Sequence, residues 1–275
     1  MNNAVYYPES GMLHGFMEPV MGTRLDALLF HPEETILKSA WDNIISEIYR
    51  LHGLLSRFEP ESEITRINQK AASEAVIVSA EVFEILSACA VYYRKTLGYF
   101  DISLQDFSSV ELDSEKQTVR FHLSSLHIDL GGYAKGYALE RIRSILLQYQ
   151  FQNALINFGN SSVLGVGHHP HGDYWPVGIT HPYHPEITVA NLQLHDNETL
   201  SVSGNSPQRE KHICNPFTGS YVNDHKIVSV IAPNAIDAEV LSTALFVAPP
   251  EKKDELTEVL SVKKTTIYDL TNPLE

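Results

Sequence analysis

Apolar residues recur at helical spacing in four long stretches of the chain. Residues 32–54 place Ile36, Leu37, Trp41, Ile44, Ile45 and Ile48 on one face, and residues 79–96 repeat the pattern with Val82, Ile85, Leu86, Ala90 and Tyr93. Residues 134–148, with Ala138, Ile142, Ile145 and Leu146, and residues 235–246 predict two more helices; shorter ones are expected at 64–69 and 251–260. Residues 16–30 alternate around Met21-Gly22-Thr23 as a hairpin, and 110–112 pairs with 118–123 around Asp113-Ser114-Glu115. Further strands are expected at 154–158, 175–180, 187–194, 199–202, 227–232 and 265–268, and Ile128-Asp129-Leu130 reads as the end of a buried strand. Strands and helices fall in segregated groups, which favours an α+β fold over a doubly wound α/β one.

Composition narrows the class. A chain of 275 residues, 43% hydrophobic and 20% charged, can bury a sizeable core. It is read as an N-terminal segment, 1–17, followed by a single domain, 18–275. The net charge of −14 argues against binding to nucleic acid or anionic membranes, since the summed field repels polyanions. Cys89, in an apolar helical run, and Cys214 suggest neither a disulfide framework nor a thiolate metal site. The first residues lack a basic stretch, an apolar core and a lipobox cysteine, and no apolar run approaches the roughly 18 residues of a membrane span. As written, the sequence is expected to be soluble and cytoplasmic.

The densest chemistry lies in Ile128-Asp129-Leu130-Gly131-Gly132-Tyr133-Ala134-Lys135-Gly136. Two glycines allow close backbone approach, and the helix behind them aims its first amides at the turn, which suits a phosphate. Asp129 can hold a metal or a ribose hydroxyl. The stretch reads as a nucleotide-phosphate cradle without a Walker loop, although a plain strand-to-helix junction has the same local pattern. Glu239 and Thr243, four apart, share a helix face and can offer two oxygens to a hard cation; a solvated Glu beside a packing Thr is the alternative. His212, ahead of a Pro/Gly turn, can serve as a general base or be structural. His168, His169, His171, His181 and His184 match no standard zinc spacing and read as a polar loop.

Taken together and in order, Met21-Gly22-Thr23, Ser56-Arg57-Phe58 with Ser62-Glu63-Ile64, Phe100-Asp101, residues 128–136, Asn157-Phe158-Gly159, Trp175-Pro176-Val177-Gly178-Ile179, Ser203-Gly204, His212-Ile213 with Asn215-Pro216 and Thr218-Gly219, and Thr243-Ala244-Leu245-Phe246 resemble the ApbE family. These are FAD:protein FMN transferases, and the resemblance runs from about Glu18 to Ala248. It implies an ApbE-like (T-fold-like) arrangement of mixed and antiparallel sheets with packed helices. It also implies an FAD site bordered by Met21 and Phe58 and lined by Tyr99, Phe100, Asp101, Asp129, Lys135 and Ile213. A Mg²⁺ against the pyrophosphate is expected on the Gly132 carbonyl, Glu239 and Thr243. His212 and Asp129 are the expected catalytic residues. The implied reaction moves FMN from FAD onto a Thr or Ser hydroxyl of a target flavoprotein, releasing AMP.

The chain departs from the family pattern in four places. Glu239 stands where an Asp is usual, so Asp237 is a second candidate ligand; Asn215 stands where an Asp follows the histidine; Gly159-Asn160-Ser161 replaces a double-glycine turn; and the stretch between Asp101 and Val110 is short. Two other functions therefore stay open: an FAD-binding or FAD-hydrolysing relative without transfer to protein, and a scaffold that binds another ligand or partner without chemistry.

Overall fold

In the computed structural model, which describes residues 2–207 and 212–271, the alternating stretches form one eight-stranded antiparallel sheet. Its strands are β1 (Asn2–Tyr7), β2 (Met12–Val20), β3 (Thr23–Phe30), β7 (Asn153–Phe158), β8 (Ser162–Val166), β11 (Thr199–Gly204), β14 (Lys226–Ala232) and β15 (Lys264–Asp269), hydrogen-bonded in that order. Three smaller sheets complete the set: β4 (Val76–Ile77) with β6 (Thr118–Phe121) and β5 (Val110–Asp113), the hairpin β9 (Trp175–Thr180) and β10 (Thr188–Leu194), and the short pair β12 (Cys214–Asn215) and β13 (Ser220–Tyr221). The helices are α1 (Glu34–Leu55), α2 (Glu63–Lys70), α3 (Ala80–Lys95), α4 (Ala134–Gln148), α5 (Ala235–Val247) and α6 (Lys253–Glu258). The α+β arrangement expected from the sequence is the one observed.

Period-two alternation sorts the sheet's residues onto two cores. Leu164 and Val166 of β8 and Val228, Val230 and Ala232 of β14 join the main core with α1, α4 and α5. Their neighbours Val163, Leu200, Ile227 and Ile231 face the other way, where the β9–β10 hairpin covers them with Trp175, Ile179, Leu192 and Leu194. Trp175 anchors that hairpin, its indole N–H donating to the Val166 carbonyl at 2.9 Å. Helix α5 packs on β11 and β14 and against α4. It is apolar around most of its circumference, as a helix sandwiched between layers must be. Among the described residues, no helix is long and apolar enough to cross a membrane.

Two expectations are corrected and one strand is added. Residues 2–17 add β1 and most of β2 to the main sheet rather than forming a segment ahead of the domain. Residues 162–166, for which the sequence predicted no element, form a fully buried strand, whose continuous burial leaves no alternation to see. Ile128-Asp129-Leu130 is not a strand: the Asn68 side chain replaces a ladder partner, accepting from the Ile128 N–H at 2.6 Å and donating to its carbonyl at 2.9 Å, and the Asp129 N–H donates to the Ile102 carbonyl at 2.7 Å.

Candidate functional site

The register gathers several turns at one end of the main sheet. Leu25 pairs with Phe158, Phe158 with Ser162, Ser201 with Ser162, and Gly204 with Ile227. The β2–β3 turn, the β7–β8 turn and the end of β11 therefore lie on the same edge. Met21 and Gly22 make the first turn with positive φ at both positions, 46° and 74°, the twist a two-residue hairpin favours. His52 of α1 holds it: the Met21 N–H donates to Nδ1 at 3.2 Å, and Nε2 lies 3.2 Å from Glu59 in the loop that carries Phe58. An open groove of about 420 Å³ lies beside this turn, lined by Glu18, Pro19, Gly22 and Thr23.

Helices α4 and α5 meet behind that edge. Gly136 makes the meeting possible, because a Cβ there would lie 2.7 Å from the Ala235 carbonyl oxygen, 2.9 Å from Cγ of Glu239 and 3.0 Å from Cα of Ile236. Glu239 is only 3% exposed, and its polar partners explain how a carboxyl group can be buried there. Lys135 Nζ stands 3.2 Å and 3.3 Å from its two oxygens, Ser201 donates to Oε1 at 2.8 Å, and Ser162 also donates to Oε1. Lys135 donates further to Ser161 at 2.7 Å and Ser162 at 2.6 Å. Ser242 lies 3.0 Å from Ser201 and 2.9 Å from Ser203, so the hydroxyl network continues beneath α5. The alternative of a solvated Glu239 is thus not what is seen: the carboxylate is buried and ion-paired. One turn along, Thr243 reaches Gly132: a Cβ on that glycine would sit 3.2 Å from the threonine Oγ1 and 3.3 Å from the Phe100 ring. Asp237 is not an alternative ligand here, because two residues of helix turn it away toward α3, where Tyr92 donates to it at 2.7 Å. Burial, with that bond adding to it, holds the Tyr92 hydroxyl well above its usual range.

Asp129 stands in front of the α4 terminus. Oδ1 accepts the Gly131 N–H at 2.8 Å, and Oδ2 lies 3.1 Å from Nε of Arg57. The guanidinium in turn sits 4.4 Å over the ring of Phe58, which is 76% exposed. The loop after α3 carries Tyr99, whose ring meets Phe217 edge-on at 5.0 Å. Ile213 is buried and its carbonyl accepts the Val222 N–H at 2.9 Å, which closes the segment holding the β12–β13 pair. His212, beside it, is exposed.

Two residues expected to line a dinucleotide are turned inward. Phe100 is 3% exposed and packs edge-on to Tyr92. Asp101 is buried and serves its own loop, accepting from the Ser103 N–H and hydroxyl at 2.7 and 2.6 Å and from the Phe107 N–H at 3.1 Å; burial raises its pKa against the pull of those bonds. The histidines lie in two loops, one at each end of β9, rather than in one polar loop. His181 Nδ1 accepts backbone N–H groups of Tyr183 and His184, both at 3.1 Å, and His169 packs edge-on to Trp175. Among the described residues, no three His, Cys, Asp or Glu side chains group so as to hold a metal. The sequence reading missed His52, Ser162, Ser201 and the rim role of Arg57. The Arg57-Phe58 dipeptide was a visible signal for the last; nothing local marked the serines.

These features define an α+β protein with a polar, cation-bearing junction of two helices opening at one edge of an antiparallel sheet. The ApbE family model matches residues 21–110 and 103–265, so the chain belongs to the ApbE family. It is 24% identical over 278 residues to the FAD:protein FMN transferase of Klebsiella pneumoniae, covering 87% of this chain and 84% of that one. It is 28% identical over 229 residues to the FAD:protein FMN transferase of Chlamydia trachomatis, covering 69% and 70%. The ApbE protein of Thermotoga maritima has the same fold, with a TM-score of 0.77, 22% identity, and coverage of 93% of this chain and 90% of that one.

Proposed function

We propose that this chain is an FAD:protein FMN transferase that moves FMN from FAD onto a Thr or Ser hydroxyl of a target flavoprotein, with Mg²⁺ as the metal. The observation that carries the reading is the α4–α5 junction. It brings Gly132, Lys135, Glu239 and Thr243 together from positions about a hundred residues apart, inside the span the family model matches.

The residues fit a hard divalent cation. Glu239 is a buried carboxylate that already holds a positive charge, and Thr243 offers a hydroxyl on the same helix face against the Gly132 backbone. Carboxylate, hydroxyl and carbonyl oxygens are the donors Mg²⁺ prefers alongside substrate phosphates. Glu239, Thr243 and Gly132 would hold the ion, which when bound neutralises charge developing on a pyrophosphate.

The remaining roles belong to the chain's own groups. Lys135 offsets phosphate charge as a point cation, and the α4 N-terminus, which no side chain caps, presents amides to the same group. Asp129 fixes the Gly131 turn and holds Arg57 over Phe58, so a planar aromatic and a cation border the opening. His212 takes the proton of the acceptor hydroxyl. The new bond joins that oxygen to the FMN phosphorus, and the bond that breaks is the pyrophosphate link, with AMP as the leaving group.

The test is a titration with FAD, followed by flavin fluorescence, with Mg²⁺ and then with a chelator, and with FMN as the control. Binding that prefers FAD and tightens with Mg²⁺ supports the reading. Failure to bind under either condition overturns it, and AMP release without labelling of any acceptor protein would favour FAD hydrolysis instead.

A further inference from the structure

Within the flavin-transfer reading, the geometry points to Lys135 as a displaceable counter-ion: it neutralises Glu239 in the ligand-free protein and passes to the pyrophosphate when a divalent cation takes that carboxylate. Metal and dinucleotide binding are then coupled through one lysine.

Lys135 Nζ has its hydrogen-bonding capacity filled by Ser161, Ser162 and Glu239, all within 3.3 Å. Its side chain is 14% exposed and that of Glu239 only 4%. Among the described residues, Lys135 is the one cationic partner of this carboxylate. An ammonium engaged in this way has no proton to offer a phosphate. Withdrawing it alone strands a buried charge, which is strongly unfavourable. Bringing in a dication while the ammonium stays crowds three positive charges around one carboxylate. Exchange avoids both costs: the metal replaces Lys135 on Glu239, and the freed lysine faces the pyrophosphate. The serines are suited to either state, since a hydroxyl that accepts from Lys135 can also donate to a carboxylate. Lysine at the first turn of α4 opposes the helix dipole, so an anion must offset it in both states: first Glu239, then phosphate.

The test uses the intact protein, Mn²⁺ as the metal probe, calorimetry for the metal and flavin fluorescence for FAD. Lys135→Met should bind Mn²⁺ about tenfold more tightly than wild type when FAD is absent, within the usual range of coupling between sites. Its loss of FAD affinity should be about tenfold greater with Mn²⁺ than without metal, because only then does wild type commit the lysine to phosphate. Equal loss of FAD binding with and without Mn²⁺, or no gain in Mn²⁺ affinity, overturns the exchange. A second measurement needs no variant: acetylation of Lys135 by acetic anhydride, read by peptide mass spectrometry. Mn²⁺ alone should speed it and Mn²⁺ with FAD should suppress it; a rate indifferent to Mn²⁺ overturns the proposal. A wild-type protein that binds neither Mn²⁺ nor FAD overturns the flavin-transfer reading itself, and this coupling with it.

Discussion

Replacing Gly136 with alanine sets two effects of opposite sign against each other. Alanine is the better helix former by about 1 kcal/mol, and Gly136 lies within α4, so propensity alone predicts a more stable protein. The added methyl, however, falls 2.7 Å from the Ala235 oxygen and 3.0 Å from Cα of Ile236. Both are backbone atoms of α5. That helix cannot retreat, because Ala238, Val240, Leu241, Ala244 and Leu245 are packed at 0–1% exposure and Ala235 is tied back to α4 by its N–H on Glu140 at 2.6 Å. Overpacking of this kind costs about 1–3 kcal/mol, and backbone contacts belong at the upper end, leaving a net loss of about 1–2 kcal/mol after the propensity gain. The methyl also meets Cγ of Glu239 at 2.9 Å, so the carboxylate must move relative to Lys135. Urea unfolding gives the stability and an FAD titration with Mg²⁺ gives the site. A midpoint that rises, with FAD binding unchanged, refutes the claim that Gly136 exists to let the helices touch.

Other perturbations separate binding from chemistry and local from global effects. His212→Ala should leave FAD affinity nearly intact and lower the rate of FMN transfer; equal loss of both assigns His212 to holding the dinucleotide. Arg57→Ala should change stability by less than about 1 kcal/mol, as expected for a partly exposed ion pair, while weakening FAD binding through the loss of the cation over Phe58; an unchanged FAD affinity removes Arg57 from the rim. Glu47 is held down to about 2 from an ordinary 4.5, chiefly by hydrogen bonds from Arg50, with Arg141 adding to them. A depressed carboxylate stabilises the fold above its unfolded value, and that stability fades as pH falls from about 4.5 toward 2. Glu47→Gln should therefore be less stable than wild type at neutral pH and show a flatter loss across that acid window; identical melting-temperature profiles from pH 2 to 6 would rule the network out as a source of acid sensitivity.

The long amphipathic helices and the hairpins at 16–30 and 110–123 were legible because their apolar positions repeat with one period and stop at turn-forming residues. β8 was not, since a strand buried on both faces has no alternation to show. The polar path to Ile128 was also hidden: Asn68, sixty residues away, does the work of a neighbouring strand. At the site, the Asp129–Gly136 stretch and the Glu239/Thr243 pair could be picked out as chemistry-bearing, because glycine spacing and helical spacing are local properties. That Glu239 is paired with Lys135 was not readable. Lys135 and Glu239 are 104 residues apart, and only the α4–α5 crossing brings them together. Asp101 shows the converse, a residue whose type suggested ligand contact but whose three hydrogen bonds are spent within seven residues of chain.

Because α5 is encoded so late, the junction has an order of assembly. During synthesis β2, β3, α1, α4, β7 and β8 emerge before any of α5 exists, and domains tend to organise from the N-terminus as they appear. A chain that ends ahead of α5 carries Lys135 and Ser162 but not the Glu239 carboxylate that they meet in the finished fold. In the finished structure the same helix supplies that charge, covers β11 and β14, and presents Thr243 to Gly132. On the flavin-transfer reading, a fragment cut ahead of α5 should not bind FAD in a Mg²⁺-dependent way, because it lacks both Glu239 and Thr243.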